Sequence, residues 1–264
     1  MHDPVPATDW DAQAYHQLSE PQLAWGRRVL AGIGLRGDET VLDVGCGTGR
    51  LTAELIECLP RGRVVAIDVS ASMLQVAQAA LASRFGRRIQ FVRADAASLP
   101  LKEAADLVFS TATFHWIADH ERLFASLHVT LKPGGRLEAQ CGGGPNLTRL
   151  LGRASGLMAD PAFAPFFRGW VDPWEFSDDA SAATRLRAAG FVDVETSLEP
   201  APVVLPDAAT YRDFLKTVIV RAHMARLPPE LQPRFAESLA DEAASDDSPF
   251  SLDYWRLNLR GTKA

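Results

Sequence analysis

The chain has 264 residues, 47% of them hydrophobic, and its 33 acidic and 27 basic residues give a net charge of −6. This length and composition indicate a globular protein with a full core and exclude a disordered chain. The acidic balance, without a basic stripe, argues against a nucleic-acid partner. No apolar stretch is long enough to span a membrane, and the first residues lack the pattern of a secretory signal. We therefore expect a cytoplasmic protein without nucleic-acid or membrane partners, and the sequence gives no signal for its oligomeric state.

The three cysteines are odd in number and far apart in the sequence. Neither a disulfide framework nor a CxxC metal site is therefore supported.

The first forty residues predict helix and loop, and after them short apolar runs alternate with amphipathic helical segments. Strands are predicted at residues 40–44, 63–67, 89–92, 106–109 and 136–140. Helices are predicted near residues 51–59, 72–85 and 123–131, and a helix-stopping turn follows at 132–135. This alternation is typical of a parallel sheet with helices on both faces, in which ligands bind beyond the carboxyl ends of the strands.

The alternation stops after a glycine-rich loop at residues 141–145. Residues 146–176 are rich in Phe, Trp, Arg and Pro without a clear period. Further helices are predicted near 180–189, 208–224 and 231–243, and further strands at 191–196 and 254–259. The late helices look like an insertion that covers the ligand edge of the sheet.

A glycine loop, Asp43-Val-Gly-Cys-Gly-Thr-Gly49, lies between the first strand and its helix. Glycines there permit positive φ and let a ligand approach the backbone closely, and the amides of a helix start favour an anionic group. A dinucleotide site would need the spacing G-x-G-x-x-G, but the required sixth position falls on Arg50 or Thr52. Asp43 would also repel a pyrophosphate. The simplest alternative is a tight turn without a ligand.

Four motifs in this order resemble class I S-adenosylmethionine-dependent methyltransferases. They are the glycine loop at 43–49, Asp68 at the end of the second strand, Asp95-Ala96 after the third, and residues 131–137 before the fifth. The resemblance implies a Rossmann-like α/β fold with a seven-stranded, mostly parallel sheet, whose last strand is antiparallel, and a helical lid. It implies S-adenosylmethionine as cofactor, S-adenosylhomocysteine as product and no metal. The single domain would consist of a cofactor-binding core at 38–141 and a lid at 1–30, 146–186 and 207–246.

The resemblance also assigns cofactor roles to individual residues. Asp43 would accept from the ammonium, Asp68 would bind both ribose hydroxyls, Asp95 would accept from the adenine amino group, and Met73 would pack on the adenine. Asp68 and Asp95 could instead be helix caps or turn residues, and Met73 a core residue. Cys46 is expected to contribute backbone only, not a nucleophile. The cofactor-binding residues implied in this way are Tyr15, Asp43, Gly45, Cys46, Gly47, Asp68, Val69, Met73, Asp95, Ala96 and Thr111.

His115 and Trp116 follow the fourth strand, at the expected ligand edge. A polar residue followed by Trp at this place resembles the trans-aconitate and malonyl-acyl-carrier-protein methyltransferases. The opening segment 9–15 resembles the start of the trans-aconitate group. His115 is the candidate catalytic residue: it could be a general base, or it could hydrogen-bond the cofactor or a strand end. The family often has glutamine there, which is no base. Trp116 could line an acceptor pocket or belong to the core.

Small carboxylic acids are the acceptors that we expect, with a methyl ester as product. A carboxylate is ionised at neutral pH, so such an enzyme needs no base, but it needs cations for its acidic substrate. The alternatives are O- or C-methylation of a hydrophobic natural product or quinone-like molecule, and cofactor binding without catalysis. Arginines of the lid are the candidate cations, although scattered arginines are usually solvated. The proposed substrate residues are Trp116, Arg149, Arg168 and Arg221.

Overall fold

The structure, a computed structural model, describes residue 12 and residues 18–264. Its strands are β1 Thr40–Val44, β2 Arg63–Asp68, β3 Ile89–Arg93, β4 Ala105–Thr111, β5 Leu131–Gly142, β6 Phe191–Pro200, β7 Val203–Val204, β8 Ser251–Leu252 and β9 Trp255–Lys263. Its helices are α1 Glu20–Gly32, α2 Arg50–Glu57, α3 Ala71–Phe85, α4 His120–Thr130, α5 Thr148–Ala159, α6 Asp179–Ala188, α7 Ala208–Phe214, α8 Arg221–Arg226 and α9 Gln232–Ala244.

Seven strands form one sheet in the order β3-β2-β1-β4-β5-β9-β6. The strands from β3 to β5 pair in parallel, whereas β9 pairs antiparallel with both β5 and β6. The predicted mostly parallel sheet with an antiparallel last strand is confirmed. The strand order reverses between β1 and β4, so the loops after these two strands diverge and open a crevice at their carboxyl ends.

Buried strands and amphipathic helices explain the central layers. All five residues of β1 are buried, as expected of a strand covered by helices on both faces. In α3, Leu74, Ala77 and Leu81 recur at helical spacing and are buried. The helix begins where the Ser70 hydroxyl accepts the Met73 amide.

Two predicted boundaries differ from the structure. The expected turn at 132–135 lies inside β5, which begins at Leu131, directly after α4. The pairing of β4 with β5 shifts register there, and Gly134 has a φ of 73°. The glycines therefore form an irregularity within the strand and not a turn between elements. The helix predicted at 208–224 is divided into α7, a π-helical turn at Leu215–Ile219, and α8.

The hydrophobic residues form separate clusters on the sheet and in the late helices. Side chains of α5, α7, α8 and α9 pack together around Phe163, Phe214 and Phe235. We call residues 146–176 and 207–246 the lid. Residues 179–186, which the predicted boundary included, belong elsewhere: Ala182 and Leu186 of α6 pack in the sheet core beside β6. Of the predicted segment 1–30, the structure describes only residue 12 and residues 18–30.

No helix in the described part of the chain is both long and apolar enough to cross a membrane.

Candidate active site

A cavity of about 500 Å³ opens at the carboxyl ends of β1, β2 and β4, at the predicted ligand edge of the sheet. Loops that follow these strands form one side of it, and residues of the lid and the start of β9 form the other. The predicted site residues that line the cavity are Gly45, Gly47, Asp68, Val69, Met73, Asp95, Ala96, Thr111, His115 and Trp116.

The glycine loop depends on left-handed backbone at two cavity-lining positions, Gly45 with φ 77° and Gly47 with φ 55°. A Cβ at Gly45 would collide with the Thr113 side chain, whereas a Cβ at Gly47 would meet nothing within 4 Å. The amides of Gly45 and Cys46 both donate to the Ile67 carbonyl, at 2.7 and 3.0 Å. These amides are therefore occupied in holding the loop to β2.

Asp68 and Asp95 make the turn contacts that the sequence offered as an alternative to binding a ligand. The two carboxylate oxygens of Asp68 accept the amides of Ser70 and Gly47, both at 2.9 Å. Asp95 accepts the Ala97 amide at 2.9 Å. Each carboxylate oxygen has a second lone pair, so the turn contacts leave capacity for a ligand in the cavity. Burial raises the pKa of Asp68.

Asp43 lies buried in β1 beneath the glycine loop, outside the set of cavity-lining residues. The Thr52 hydroxyl donates to its Oδ2 at 2.6 Å. Burial raises the pKa of Asp43 to about 7, and the nearby Asp68 carboxylate adds to this shift. Two carboxyl groups in each other's field favour a cationic ligand and disfavour an anionic one.

His115 is held by the end of β5. The Gly142 amide donates to its Nδ1 at 3.2 Å. Because Nδ1 accepts a hydrogen bond, the proton of the neutral ring lies on Nε2. Burial and then the positive charge of Arg256 lower the pKa of His115 well below its usual range. The ring is therefore neutral, and its only basic nitrogen is engaged with the backbone.

Aromatic side chains form the wall next to His115. The rings of Trp174 and Phe176 stack nearly parallel, with centroids 5.9 Å apart. Trp116 packs against Trp174 at 5.8 Å, and Phe176 lies 5.9 Å from the His115 ring. Trp116, whose ring is inclined by 51° to that of Trp174, thus belongs to an aromatic surface of the cavity.

Arg256 is the buried cation of the cavity wall. Its side chain is only 2% exposed, yet it lines the cavity, and its guanidinium lies 4.5 Å from the Trp25 ring centroid. Beside it, Asn146 accepts the Trp255 amide at Oδ1, at 2.8 Å, so its Nδ2 group is the remaining donor.

Comparison with known proteins identifies the family. A sequence profile described as a methyltransferase domain matches residues 41–135. The trans-aconitate 2-methyltransferase of Deinococcus radiodurans is 30% identical over 221 residues, 83% of each chain. The chain belongs to the class I S-adenosylmethionine-dependent methyltransferases. The trans-aconitate 2-methyltransferase of Azoarcus sp. is 37% identical over 131 residues, half of each chain.

Solved methyltransferase structures share the fold. Phosphoethanolamine N-methyltransferase 2 of Haemonchus contortus, in complex with S-adenosyl-L-methionine, superposes with a TM-score of 0.62 at 16% identity. That match covers 96% of this chain and 56% of the other. The [4+2]-cyclase SpnF superposes with a TM-score of 0.59 at 20% identity, over 98% and 89% of the two chains. Since a cyclase is among them, likeness of fold alone does not give the reaction.

The residues of this methyltransferase fit its cofactor. S-adenosylmethionine has an ammonium and a sulfonium cation, and the buried carboxyls of Asp43 and Asp68 suit a cationic ligand better than a dinucleotide. Asp68 and Asp95 at successive strand ends offer oxygens for hydroxyl and amino donors. The open space beside Gly47 admits a ligand against the backbone.

Two of the predicted cofactor residues, Asp43 and Cys46, are not among the residues that line the cavity. Tyr15 falls outside the described residues. Cys46 is buried and does not line the cavity, and burial raises the pKa of its thiol.

The three predicted substrate arginines also lie outside the cavity lining. Arg149 donates to the Ser251 carbonyl at 2.8 Å and pairs with Asp246 at 3.7 Å. Arg168 is exposed, and Arg221 is half-buried at the start of α8.

Sequence reasoning missed Arg256 and Asn146. A signal was available for Arg256, because an antiparallel last strand begins at the edge where the parallel strands end. The first residues of β9 were therefore candidates for the site.

Proposed function

We propose that this methyltransferase transfers a methyl group to a carboxylate oxygen of a small acid, with a methyl ester and S-adenosylhomocysteine as products. The single observation behind this proposal is the buried Arg256 in the cavity wall. Acidic residues follow β2 and β3, whereas Arg256 begins β9, four strands from β2 and roughly 19 Å along the sheet edge. The cavity thus has an acidic part that suits a cationic cofactor and a basic part that suits an anionic acceptor.

The names of two relatives also support a small acid as the acceptor. The Deinococcus and Azoarcus proteins are described as methylating trans-aconitate, a small carboxylic acid. A net charge of −6 also favours a small acceptor over a nucleic acid.

Methyl transfer to a carboxylate does not require a general acid or a general base from the protein. S-adenosylmethionine supplies the electrophilic methyl group when it is bound. The acceptor carboxylate is ionised at neutral pH, so no residue has to remove a proton. The residues of the chain have to bind the acceptor's charge, align its oxygen and exclude water. A neutral His115 whose Nδ1 is engaged with Gly142 is compatible with these tasks and ill suited to a base.

A second candidate function has its own observation. The surface formed by Trp116, Trp174 and Phe176 suits a flat hydrophobic acceptor, as in O- or C-methylation of a natural product or quinone-like molecule. A hydroxyl acceptor would need a proton acceptor in the cavity.

Isotope-labelled methyl groups distinguish the two candidates. The purified protein is incubated with methyl-labelled cofactor and with trans-aconitate, other small di- and tricarboxylic acids, or an extract of small molecules. The products are then treated with mild base. Label released as methanol establishes a methyl ester and supports the proposal. Label that stays with the product identifies an ether, amine or carbon acceptor and overturns it.

A further inference from the structure

We propose that Arg256 and His115 together form the carboxylate-binding subsite of the cavity. In this subsite the Arg256 guanidinium binds the acceptor's charge, and the His115 Nε2–H group donates to one of its oxygens. The inference rests on the proposed function, because it names the residues that select an acid as acceptor.

Strand pairing brings the two residues together. In the β5–β9 ladder, Gly142 is the partner of Arg256. The same Gly142 donates its amide to His115 Nδ1 at 3.2 Å. One residue of β5 therefore lies opposite Arg256 in the sheet and also holds the imidazole ring of His115. The positive charge of Arg256 acts electrostatically on the His115 ring and contributes to the lowered pKa of His115.

The imidazole has one orientation and one role in this arrangement. The Gly142 amide can only donate, so Nδ1 must be the acceptor and the proton of the neutral ring is on Nε2. Nε2–H is then the remaining polar group of a ring that lines the cavity. Such a group donates a hydrogen bond and does not remove a proton. Glutamine also offers an N–H donor at the end of a planar side chain, so it is the natural replacement.

Burial distinguishes Arg256 from the other arginine of the cavity. Among the described residues, the arginines that line it are Arg122 and Arg256. Arg122 is exposed in the first turn of α4, three residues after Asp119, which also lines the cavity. Arg256 is 2% exposed and lies against Trp25. A buried charge interacts more strongly with a bound carboxylate because water screens it less. Arg122 is therefore the matched control.

Binding to a charged probe and to its neutral counterpart tests the guanidinium without requiring turnover. The probes are trans-aconitate and its trimethyl ester, titrated calorimetrically in the presence of S-adenosylhomocysteine. We expect the wild-type protein to prefer the acid, and R256Q to weaken acid binding by about 10- to 100-fold. R122Q should retain the preference, and R256K should retain part of it. Equal binding of acid and ester by the wild type, or an unchanged preference in R256Q, overturns the proposal.

Two His115 variants test the donor role. H115Q keeps an N–H donor and should retain kcat/KM within about fivefold, whereas H115L should lose about tenfold or more. Equal loss in both variants contradicts a donor role. Nitrogen NMR of histidine-labelled protein gives a second readout: Nδ1 should appear unprotonated and Nε2 protonated at neutral pH. The opposite tautomer overturns the proposal whatever the activity.

Failure of the subsite and failure of the proposed function give different results. If the wild type forms a base-labile methyl ester but R256Q has the wild-type KM for the acid, only the subsite is wrong. If the label in the wild-type product resists base, the proposed function is wrong. Thermal unfolding and the cofactor dissociation constant of each variant show whether R256Q still folds and binds cofactor. If R256Q does not fold, the comparison of R256K with the wild type decides.

Discussion

The two sides of the cavity are built in different ways. On the cofactor side, short loops after β1, β2 and β3 are fixed by backbone hydrogen bonds, such as those from Gly45 and Cys46 to Ile67. On the other side, most buried side chains of the lid pack in a hydrophobic cluster separate from that of the sheet, and few backbone bonds, such as that from Glu175 to the His115 carbonyl, join the lid to the strand loops. Backbone contacts specify one geometry, whereas a packed cluster can accommodate other side chains of similar volume. We therefore expect the lid to tolerate side-chain replacements of similar volume better than the glycine loop does.

Removal of one large aromatic side chain from each cluster gives the largest expected effect. Phe235 in the lid and Phe124 in the sheet core are both fully buried. Replacement of either by alanine should lower the free energy of unfolding by about 3–5 kcal/mol. Phe235→Ala should also raise the KM of the acceptor while the cofactor dissociation constant stays unchanged. Denaturant unfolding and calorimetry check both statements. Weakened cofactor binding in folded Phe235→Ala would show that the two sides are not separate.

Two glycines of one loop test its backbone geometry. Gly45→Ala should cost about 3 kcal/mol of unfolding free energy, because it combines a left-handed φ with a collision against Thr113. Gly47→Ala has a left-handed φ but open space, and should cost about 1 kcal/mol. The added Cβ of Gly47→Ala would occupy space that we expect the cofactor to need. Equal stability of the two variants, measured by thermal unfolding, would contradict this account of the loop.

Asp68 tests the acidic part of the cavity. Asp68→Ala should weaken cofactor binding by roughly 1.5–3 kcal/mol, the range of a charge-assisted hydrogen bond. Asp119→Ala is the control, since Asp119 also lines the cavity but is exposed and caps α4. The control should change the affinity by less than about 0.5 kcal/mol. Equal affinity of wild type and Asp68→Ala in calorimetry would refute the ribose assignment.

Asp43 should make cofactor binding depend on pH. Its folded-state pKa is raised to about 7, and the groups that affect it are Thr52 and Asp68. Since a bound ammonium favours the ionised carboxyl, affinity should rise with pH up to about 7, by at most about 1.4 kcal/mol per unit, and then level off. The free protein should lose stability as the pH rises toward 7, because Asp43 ionises at a lower pH in the unfolded chain than in the folded protein.

Calorimetry in two buffers of different ionisation enthalpy measures the proton released when the cofactor binds. Release at about pH 6 and clearly less release at about pH 7.5 is the expected result. Asp43→Asn should abolish the difference. A pH-independent affinity in the wild type would show that Asp43 does not sense the ammonium.

Local sequence patterns were sufficient to predict most of the cavity lining at the ends of β1, β2 and β3. Asp68 and Asp95 each follow a strand, and the ends of parallel strands meet at one edge, so their proximity follows from the order of elements. The opposite side of the cavity depends on long-range pairing. Arg256 lies at the cavity because β9 pairs with β5, and no local sequence period indicates that pairing. Residue type alone suggested Arg149 as a substrate-binding residue, but in the structure its guanidinium contacts Ser251 and Asp246.

The position of β9 has a consequence for the order of assembly. Among the described strands, β6 pairs with β9 alone, and the lid segment 207–246 lies between these two strands in the chain. During synthesis on the ribosome, β1 to β5 can pair as soon as they emerge, whereas β6 has to wait until the lid and then β9 have been made. Insertion of β9 would at once complete the sheet, tether the lid at both ends and deliver Arg256 to the cavity. A nascent chain could thus acquire the acidic half of its site well before the basic half.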